Sequence, residues 1–473
     1  MQADVVIIGA GLAGLACAVA LRESGLRVLI FESADSPGGR ARSWTDARTG
    51  DSIDLGPHIV LTEHRNFLAL LELLGSRDRI VWERDRLIRL REGARVTDMR
   101  LHALPAPLHL LPSFARVRSL SWRDILSNRR ALWMALQLGE KQVRSLDELS
   151  GIDLLRRVGV SERFLEWFWA SASISVLNVP LERCSAGALL RVFSQLAGLQ
   201  QYAIGFADVG LAELFHPAAV RLIEQAGGRL HCRSRVARID CGGERFRAIA
   251  LESGDTVQAD ICVAAVPPQS LAELLPPQAL RTQAFVDVTA FEPSPYVSTY
   301  LWFDRKLTRE KFWARVWDPK GLNTDFYDLS NIRQGWGDRE SVIASNAIYS
   351  HRAHHLSDEE IVATTVEEIR EAVPGVARSH VRHAVVNRIP MAIPCPTPGS
   401  EQRRPPTQTA IAGLLLAGDW TRTELPASME SAVHSGWSAA QEIWRLSGRP
   451  RRLVLPKRAP QGLAGFVYRH ARS

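Results

Sequence analysis

The stretch that most limits how this chain can fold is its beginning, Ala3-Asp-Val-Val-Ile-Ile-Gly-Ala-Gly-Leu-Ala-Gly14. The apolar run Val5-Val-Ile-Ile8 within it reads as a buried strand. It leads straight into Gly9, Gly11 and Gly14 at the mouth of an apolar helix that Gly25 stops. A second strand, Arg27-Val-Leu-Ile-Phe-Glu32, ends on an acid. Each part has a task in gripping a dinucleotide. Gly9 permits the tight turn out of the strand, Gly11 lets a pyrophosphate approach the backbone, and Gly14 lets the helix pack close to the sheet. The exposed N–H groups and dipole of the helix N-terminus favour the anionic phosphates. Glu32 is placed to accept hydrogen bonds from a ribose diol and to repel a 2′-phosphate. An ordinary strand–helix turn needs neither three glycines in register nor the acid.

A second layer follows in Ser36-Pro-Gly-Gly-Arg-Ala-Arg-Ser43 and Asp54-Leu-Gly-Pro-His58. Gly38 and Gly39 let the backbone lie against a ligand, while Arg40 and Arg42 supply cations within reach of a pyrophosphate. A nicotinamide enzyme does not need these. Far along the chain, Leu414-Leu-Leu-Ala-Gly-Asp-Trp-Thr421 reads as another buried strand, and Leu425-Pro-Ala-Ser-Met-Glu-Ser-Ala-Val-His-Ser-Gly436 opens a last helix. Together these elements resemble the flavin-binding core of the amine oxidase and phytoene desaturase superfamily. The resemblance implies FAD. It puts Asp419 on the ribityl or pyrophosphate part, the helix after Pro426 towards the isoalloxazine ring, and the backbone at Val236, in Arg235-Val-Ala-Arg-Ile239, against the adenine. It extends the cofactor contacts to Gly38, Gly39, Arg40, Gly56, Gly418 and Met429.

At 473 residues the chain exceeds one simple core, and about two domains are expected. The expected class is α/β: a discontinuous Rossmann-type FAD-binding core with an inserted α+β substrate domain and a helical cap. Residues 1–79, 205–268 and 401–448 form the core, 80–204 and 269–400 the substrate-binding part, and 449–473 a basic tail. The first insertion reads as largely helical, with helices beginning near Leu120 and at Ser145-Leu-Asp-Glu-Leu, where Ser145 or Asp147 would cap. The second mixes strands at Tyr296–Phe303 and Ser341–Asn346 with a helix from Ser357 to Ala372. Leu104-Pro-Ala-Pro-Leu-His-Leu-Leu-Pro112 is too rich in proline for a regular helix.

The apolar fraction of 46% and charged fraction of 23% are ordinary for a soluble protein. Six scattered cysteines, without CxxC or Cys/His spacing, predict reduced structural thiols and no metal. No signal peptide or bilayer-spanning run is evident, which predicts a cytoplasmic protein. The formal charge of +7 is matched by seven bases between Arg449 and Ser473, a segment with no acids. With Leu453-Val-Leu455 and Phe466-Val-Tyr468 among them, this tail suits either a solvated terminus or peripheral contact with an anionic membrane face. No nucleic-acid recognition motif accompanies the charge.

Leu104–His109, Leu177-Asn178 with Pro180, Ala186 after Cys184-Ser185, and Leu415–Thr421 with Leu425–Glu430 resemble hydroxysqualene dehydroxylase, the squalene-associated FAD enzyme of hopanoid biosynthesis. Phe168-Trp169 followed by Ala-Ser-Ala-Ser, and Pro57 before His58, depart from that family's pattern and leave room for a phytoene or ζ-carotene desaturase. Either reading implies a lipophilic isoprenoid substrate and a separate electron donor or acceptor. An FAD-dependent amine oxidase is the third reading, but that subfamily has an aromatic where this chain has Ser428. His58 is the titratable group expected nearest the flavin, as an acid or base or as a turn-forming hydrogen bonder. Glu430 is expected to act structurally in the first turn of the last helix.

Overall fold

A computed structural model describes all residues except 282–284, 286, 374–375 and 471–473. The nucleotide core is a sheet in the order Arg229–His231, Val28–Phe31, Gln2–Ile8, Thr256–Ala264, Arg245–Leu251, Val236–Gly242, with Leu414–Leu416 also on Thr256–Ala264. The five strands from Arg229–His231 to Leu414–Leu416 run parallel. Their registers bring His231, Phe31, Ile8, Ala264 and Leu416 to one row of carboxyl ends. Ligands of open α/β sheets bind beyond that edge. Gly9, Glu32 and Gly418-Asp419 follow directly from it.

The first helix (Leu12–Ala20) and the long helix Met429–Leu446, the last of the nucleotide core, pack against each other. Their closeness depends on glycine: a Cβ on Gly436 would stand 2.2 Å from the Ala13 carbonyl oxygen, and one on Gly14 2.0 Å from that of Gly9.

A second sheet runs in the order Val381–Pro394, Pro293–Phe303, Val342–Ala347, Asp325–Asp328, Phe312–Arg315, Ile88–Glu92, Arg95–Met99. Alternation sorts its side chains by face. Leu301, Phe303, Trp313, Phe326 and Ile343 join Ile369 of the helix Asp358–Ala372, and Val373 just beyond it, on the outer side. Tyr300, Trp302, Phe312, Tyr327 and Ala344 face inwards, in one cluster with Leu177, Phe193 and Phe206.

The helical reading of the first insertion misses the hairpin Ile88–Met99, which extends this sheet. Arg89, Arg91 and Asp98 in it pair with charged neighbours, Glu310 included, so its charges are matched within the sheet. Neither Ser145 nor Asp147 caps a helix. Ser145 ends one (Glu140–Ser145), Ser150 caps the next, and buried Asp147 accepts from Ser185 Oγ at 2.6 Å and Gln402 N at 3.0 Å.

The basic segment also departs from expectation, because most of it lies on the body. Leu453, Val454 and Leu455 pack on the nucleotide-core cluster, and Arg451 stacks over Trp444 and pairs with Glu23 at 2.8 Å. Lys457 pairs with Glu140 and Arg458 with Glu63. A helix, Gly462–His470, follows. Carboxylates on the body claim these cations, so the segment is a strap and not a free electrostatic arm; Arg472 lies outside the described residues. Among the described residues, no helix is long and apolar enough to cross a membrane.

Candidate active site

Gly9 leaves the first strand with φ +96°, a backbone region that favours glycine. Gly11 has an ordinary φ of −70° and begins the first helix without any side-chain cap. A Cβ added there would meet only Gly39 Cα, 4.0 Å away. Gly38 bonds back to the same loop, its N–H donating to the Ala10 carbonyl at 2.9 Å. Gly11 and Gly38 pair backbone to backbone beside an uncapped helix N-terminus, and the face that they and Gly39 present carries no side chain, so it is a backbone-walled cradle. A pyrophosphate fits such a seat, and a side chain on Gly11 would fill it.

Glu32 stands beside the cradle and also shapes it: Oε2 accepts from Ala10 N at 2.8 Å and Oε1 from Ala34 N at 2.9 Å. A carboxylate has about four acceptor sites, so capacity for a ribose diol is left. Ser234 N donates to the Glu32 carbonyl at 2.8 Å, which brings the strand starting at Val236 to this end of the site.

Arg40 and Asp419 are brought together, but onto each other. The guanidinium donates to both Asp419 oxygens, at 2.6 and 3.0 Å, and to the Ala392 carbonyl at 2.7 Å. Burial pulls the Arg40 pKa down, yet Asp419 outweighs it and the net shift is upward. Arg40, expected within reach of the pyrophosphate, and Asp419, expected at the ribityl or pyrophosphate part, are thus a mutually neutralising pair here, beside a seat lined by backbone. Arg42 lies over the Trp44 ring instead.

Gly418 (φ +142°) turns the chain after Leu414–Leu416, and its N–H donates to Ser435 Oγ at 2.8 Å. Buried Arg404, which no sequence motif marked, holds the loop that follows. It donates to the carbonyls of Asp419 (2.7 Å), Thr421 (2.8 Å) and Leu425 (2.6 Å). Arg404 is in turn paired with Glu401, which also receives Arg191 at 2.5 Å. The one available signal is Arg191, the single charge in the mostly apolar Ala186–Gly198 helix.

Ser428 caps the last helix, accepting from Ser431 N at 3.2 Å. Met429 begins that helix and is buried. Glu430 reaches across to cap the helix Arg65–Leu74, accepting from Asn66 N (3.1 Å), Asn66 Nδ2 (2.7 Å) and Phe67 N (2.8 Å). Its expected structural role is met, on a neighbouring helix.

Gly56 sits tight against the second sheet, where a Cβ would be 2.7 Å from Ser298 Oγ. His58 Nδ1 lies 2.7 Å from the Gly56 carbonyl. That contact requires Nδ1–H as donor and leaves Nε2 as the free acceptor of a neutral ring. Burial holds the ring below its usual pKa, against the opposing pull of Gly56 and Asp54.

His58, His64, Tyr202 and Tyr296 each keep some accessible surface. Nevertheless desolvation dominates all four: it takes His64 down to about 4 and pushes both phenols up. Groups that are desolvated yet reachable border internal space. A separate cleft is walled on one part by Val176, Leu177, Phe291 and Trp420 and on another by the charged Arg191, Glu401, Arg404 and Asp419.

The sequence pattern of the family described as flavin containing amine oxidoreductase matches residues 12–444. The chain is 28% identical to 15-cis-phytoene desaturase of Synechococcus elongatus, over 94% of this chain and 98% of that protein. It is 26% identical to a probable zeta-carotene desaturase of the same organism, over 93% and 98%. Putrescine oxidase bound to putrescine superposes with a TM-score of 0.74 at 18% identity, over 94% of this chain and 99% of that one. Cyclohexylamine oxidase from Brevibacterium oxydans gives 0.70 at 17%, over 95% and 100%.

Proposed function

The chain belongs to the flavin-containing amine oxidoreductases and is an FAD-dependent oxidoreductase, and from that premise we propose that it desaturates a long linear polyisoprenoid of the phytoene or ζ-carotene type. The observation that carries this reading is the end-to-end likeness to two carotenoid desaturases, which takes in both insertions as well as the nucleotide core. Bound FAD supplies a two-electron acceptor for hydride. The chain's own residues bind and orient. The Gly11–Gly39 cradle seats the pyrophosphate, Glu32 the ribose, and the loop held by Arg404 the middle of the cofactor. The apolar walls take up hydrocarbon, a transfer worth about 0.8 kcal/mol per CH₂, so no charged anchor is needed. An amine oxidase reading loses support at Ser428, whose hydroxyl caps the last helix where an aromatic side chain has nothing to offer Ser431 N–H. A separate electron acceptor collects the electrons afterwards.

A second reading, reductive removal of the hydroxyl of hydroxysqualene, rests on the motifs at Leu104–His109, Leu177–Pro180 and Leu425–Glu430. The two readings differ in the direction of electron flow, and an anaerobic experiment separates them. Bleaching of oxidised flavin by phytoene, with a desaturated product, is the expected result. Inertness towards phytoene, with reoxidation of photoreduced flavin by hydroxysqualene and release of squalene, transfers the function to the second reading.

We further propose peripheral contact with a cytoplasmic membrane face, through an apolar lip and not through free basic charge. The helix Gly462–His470 docks on the Pro105–Ala106 backbone, with Ala464 N donating to the Ala106 carbonyl at 2.9 Å. This leaves Leu104 (40% exposed), Leu108 (41%), Leu463 (49%) and Phe466 (55%) on the surface. Leu463→Ser/Phe466→Ser is expected to abolish sedimentation with anionic liposomes while FAD stays bound. Deleting 449–473 is expected to lower thermal stability as well, because Leu453–Leu455 pack on the core. Unchanged sedimentation of the double variant would place docking elsewhere.

A further inference from the structure

Across the inner face of the second sheet one rung is entirely polar. Asp325, Asn346, Ser298 and Asn387 stand directly opposite one another on four successive strands. Paired residues in antiparallel strands project to the same face, and this rung meets the Asp54–His58 loop. Asn387 Nδ2 donates to the Leu55 carbonyl at 3.1 Å, Asn346 Nδ2 to that of Pro57 at 3.4 Å, and Ser298 Oγ to Asn346 Oδ1 at 2.7 Å. Asp325 differs from the other three in keeping one open oxygen: it is 7% exposed, its Oδ2 accepts from Tyr327 at 3.0 Å, and its Oδ1 has no hydrogen-bond partner.

A buried carboxylate normally carries a cation beside it. Among the described residues, Asp325 forms no ion pair with any Arg, Lys or His. Its surroundings are phenols and amides: Tyr327 on its own strand, Asn346 opposite, and Tyr296, whose titration feels both Asp325 and Cys395. Tyr296 keeps some accessible surface and feels the charge of both Asp325 and Cys395, and Cys395 lines the cleft that Asp419 and Trp420 also border. One rung further, the Tyr300 hydroxyl is also without a partner, and the nearby charges are the mutually paired Asp54 and Arg333. Burial pushes the Asp325 carboxyl up to about 7, against the opposing pull of Tyr327 and Asn346.

We propose that Asp325, beside Tyr327 and Tyr296, is the proton acceptor of the substrate chamber. The proposal rests on the desaturase reading. When hydride leaves one substrate carbon for FAD, the neighbouring C–H bond breaks, its electron pair becomes the new C=C bond, and its proton passes to the Asp325 carboxylate. A base with neither a cationic partner nor a donor on Oδ1 keeps its basicity in an apolar chamber.

Two measurements on the holoprotein test this. Infrared titration should show a protonated carboxyl band at pH 5.5 that disappears through about pH 7 and is missing in Asp325→Asn. Anaerobic flavin reduction by phytoene should accelerate in wild type as pH rises through the same range. In Asp325→Asn it should fall about a hundredfold, as expected for loss of a general base, and lose its pH dependence while FAD content and Tm hold. An Asp325→Asn protein with the wild-type rate and pH profile, or a wild type whose band does not titrate, overturns the proposal. If wild type itself fails to react with phytoene, the desaturase reading falls, while the infrared result, which needs no substrate, still decides whether Asp325 exchanges a proton.

Discussion

Arg404→Met is expected to yield a protein that loses FAD and melts well below wild type. The buried guanidinium satisfies the carbonyls of Asp419, Thr421 and Leu425 together with Thr423 Oγ1. It also shares Glu401 with Arg191. Methionine fills much of the volume but leaves those acceptors without a donor, and leaves Glu401 with one cation in place of two. Breaking a buried ionic arrangement from one side costs about 3–5 kcal/mol. The loop set free carries Asp419, so the Arg40–Asp419 pair loosens with it. Thermal denaturation and the ratio of flavin to protein absorbance read the two effects. Adding Glu401→Gln should recover part of the stability, because it removes the underpaired charge. A single variant with wild-type Tm and full FAD would show that the loop holds itself.

Gly11→Val should behave in the opposite way, folding normally but without flavin. At φ −70° the backbone of Gly11 suits any residue, and its Cβ direction meets no protein atom nearer than 4.0 Å. A Cβ there clashes with no protein atom, and the valine methyl groups beyond it are expected to crowd the cradle. Gly436→Ala puts a methyl group 2.2 Å from a helix carbonyl, and the two packed helices must separate. Colourless, monodisperse Gly11→Val beside insoluble or strongly destabilised Gly436→Ala is the expected contrast. Stoichiometric FAD in Gly11→Val would place the pyrophosphate elsewhere.

These two positions also mark what was legible in the chain. Gly11, Glu32 and Gly418 announce themselves because their chemistry is local: a strand ends, a turn needs glycine, a helix begins. The row of strand ends that aligns them follows from parallel pairing of apolar runs. Arg404, Glu401 and Asp325 had no such signal. Glu401 meets Arg191 only after the helical insertion folds back over the flavin-end loop. Asp325 becomes buried and unpaired through the register of four strands drawn from separate segments. The Arg40–Asp419 pair was half legible, since both residues were singled out, but a cation and an anion that each seemed destined for a ligand neutralise one another once the ends of the chain meet. The basic segment shows the same effect in part: Glu23, Glu140 and Glu63 on the folded surface pair with Arg451, Lys457 and Arg458, which charge counted along the sequence does not foresee.

The central claim is an FAD enzyme whose chamber accepts a linear hydrocarbon, and its most direct test is one anaerobic single-turnover measurement. Oxidised holoprotein is mixed in parallel with phytoene and with putrescine or cyclohexylamine, and the flavin absorbance and products are followed. The predicted result is bleaching by phytoene with one new double bond per flavin reduced, and no response to either amine. Flavin untouched by phytoene but bleached by an amine would contradict it.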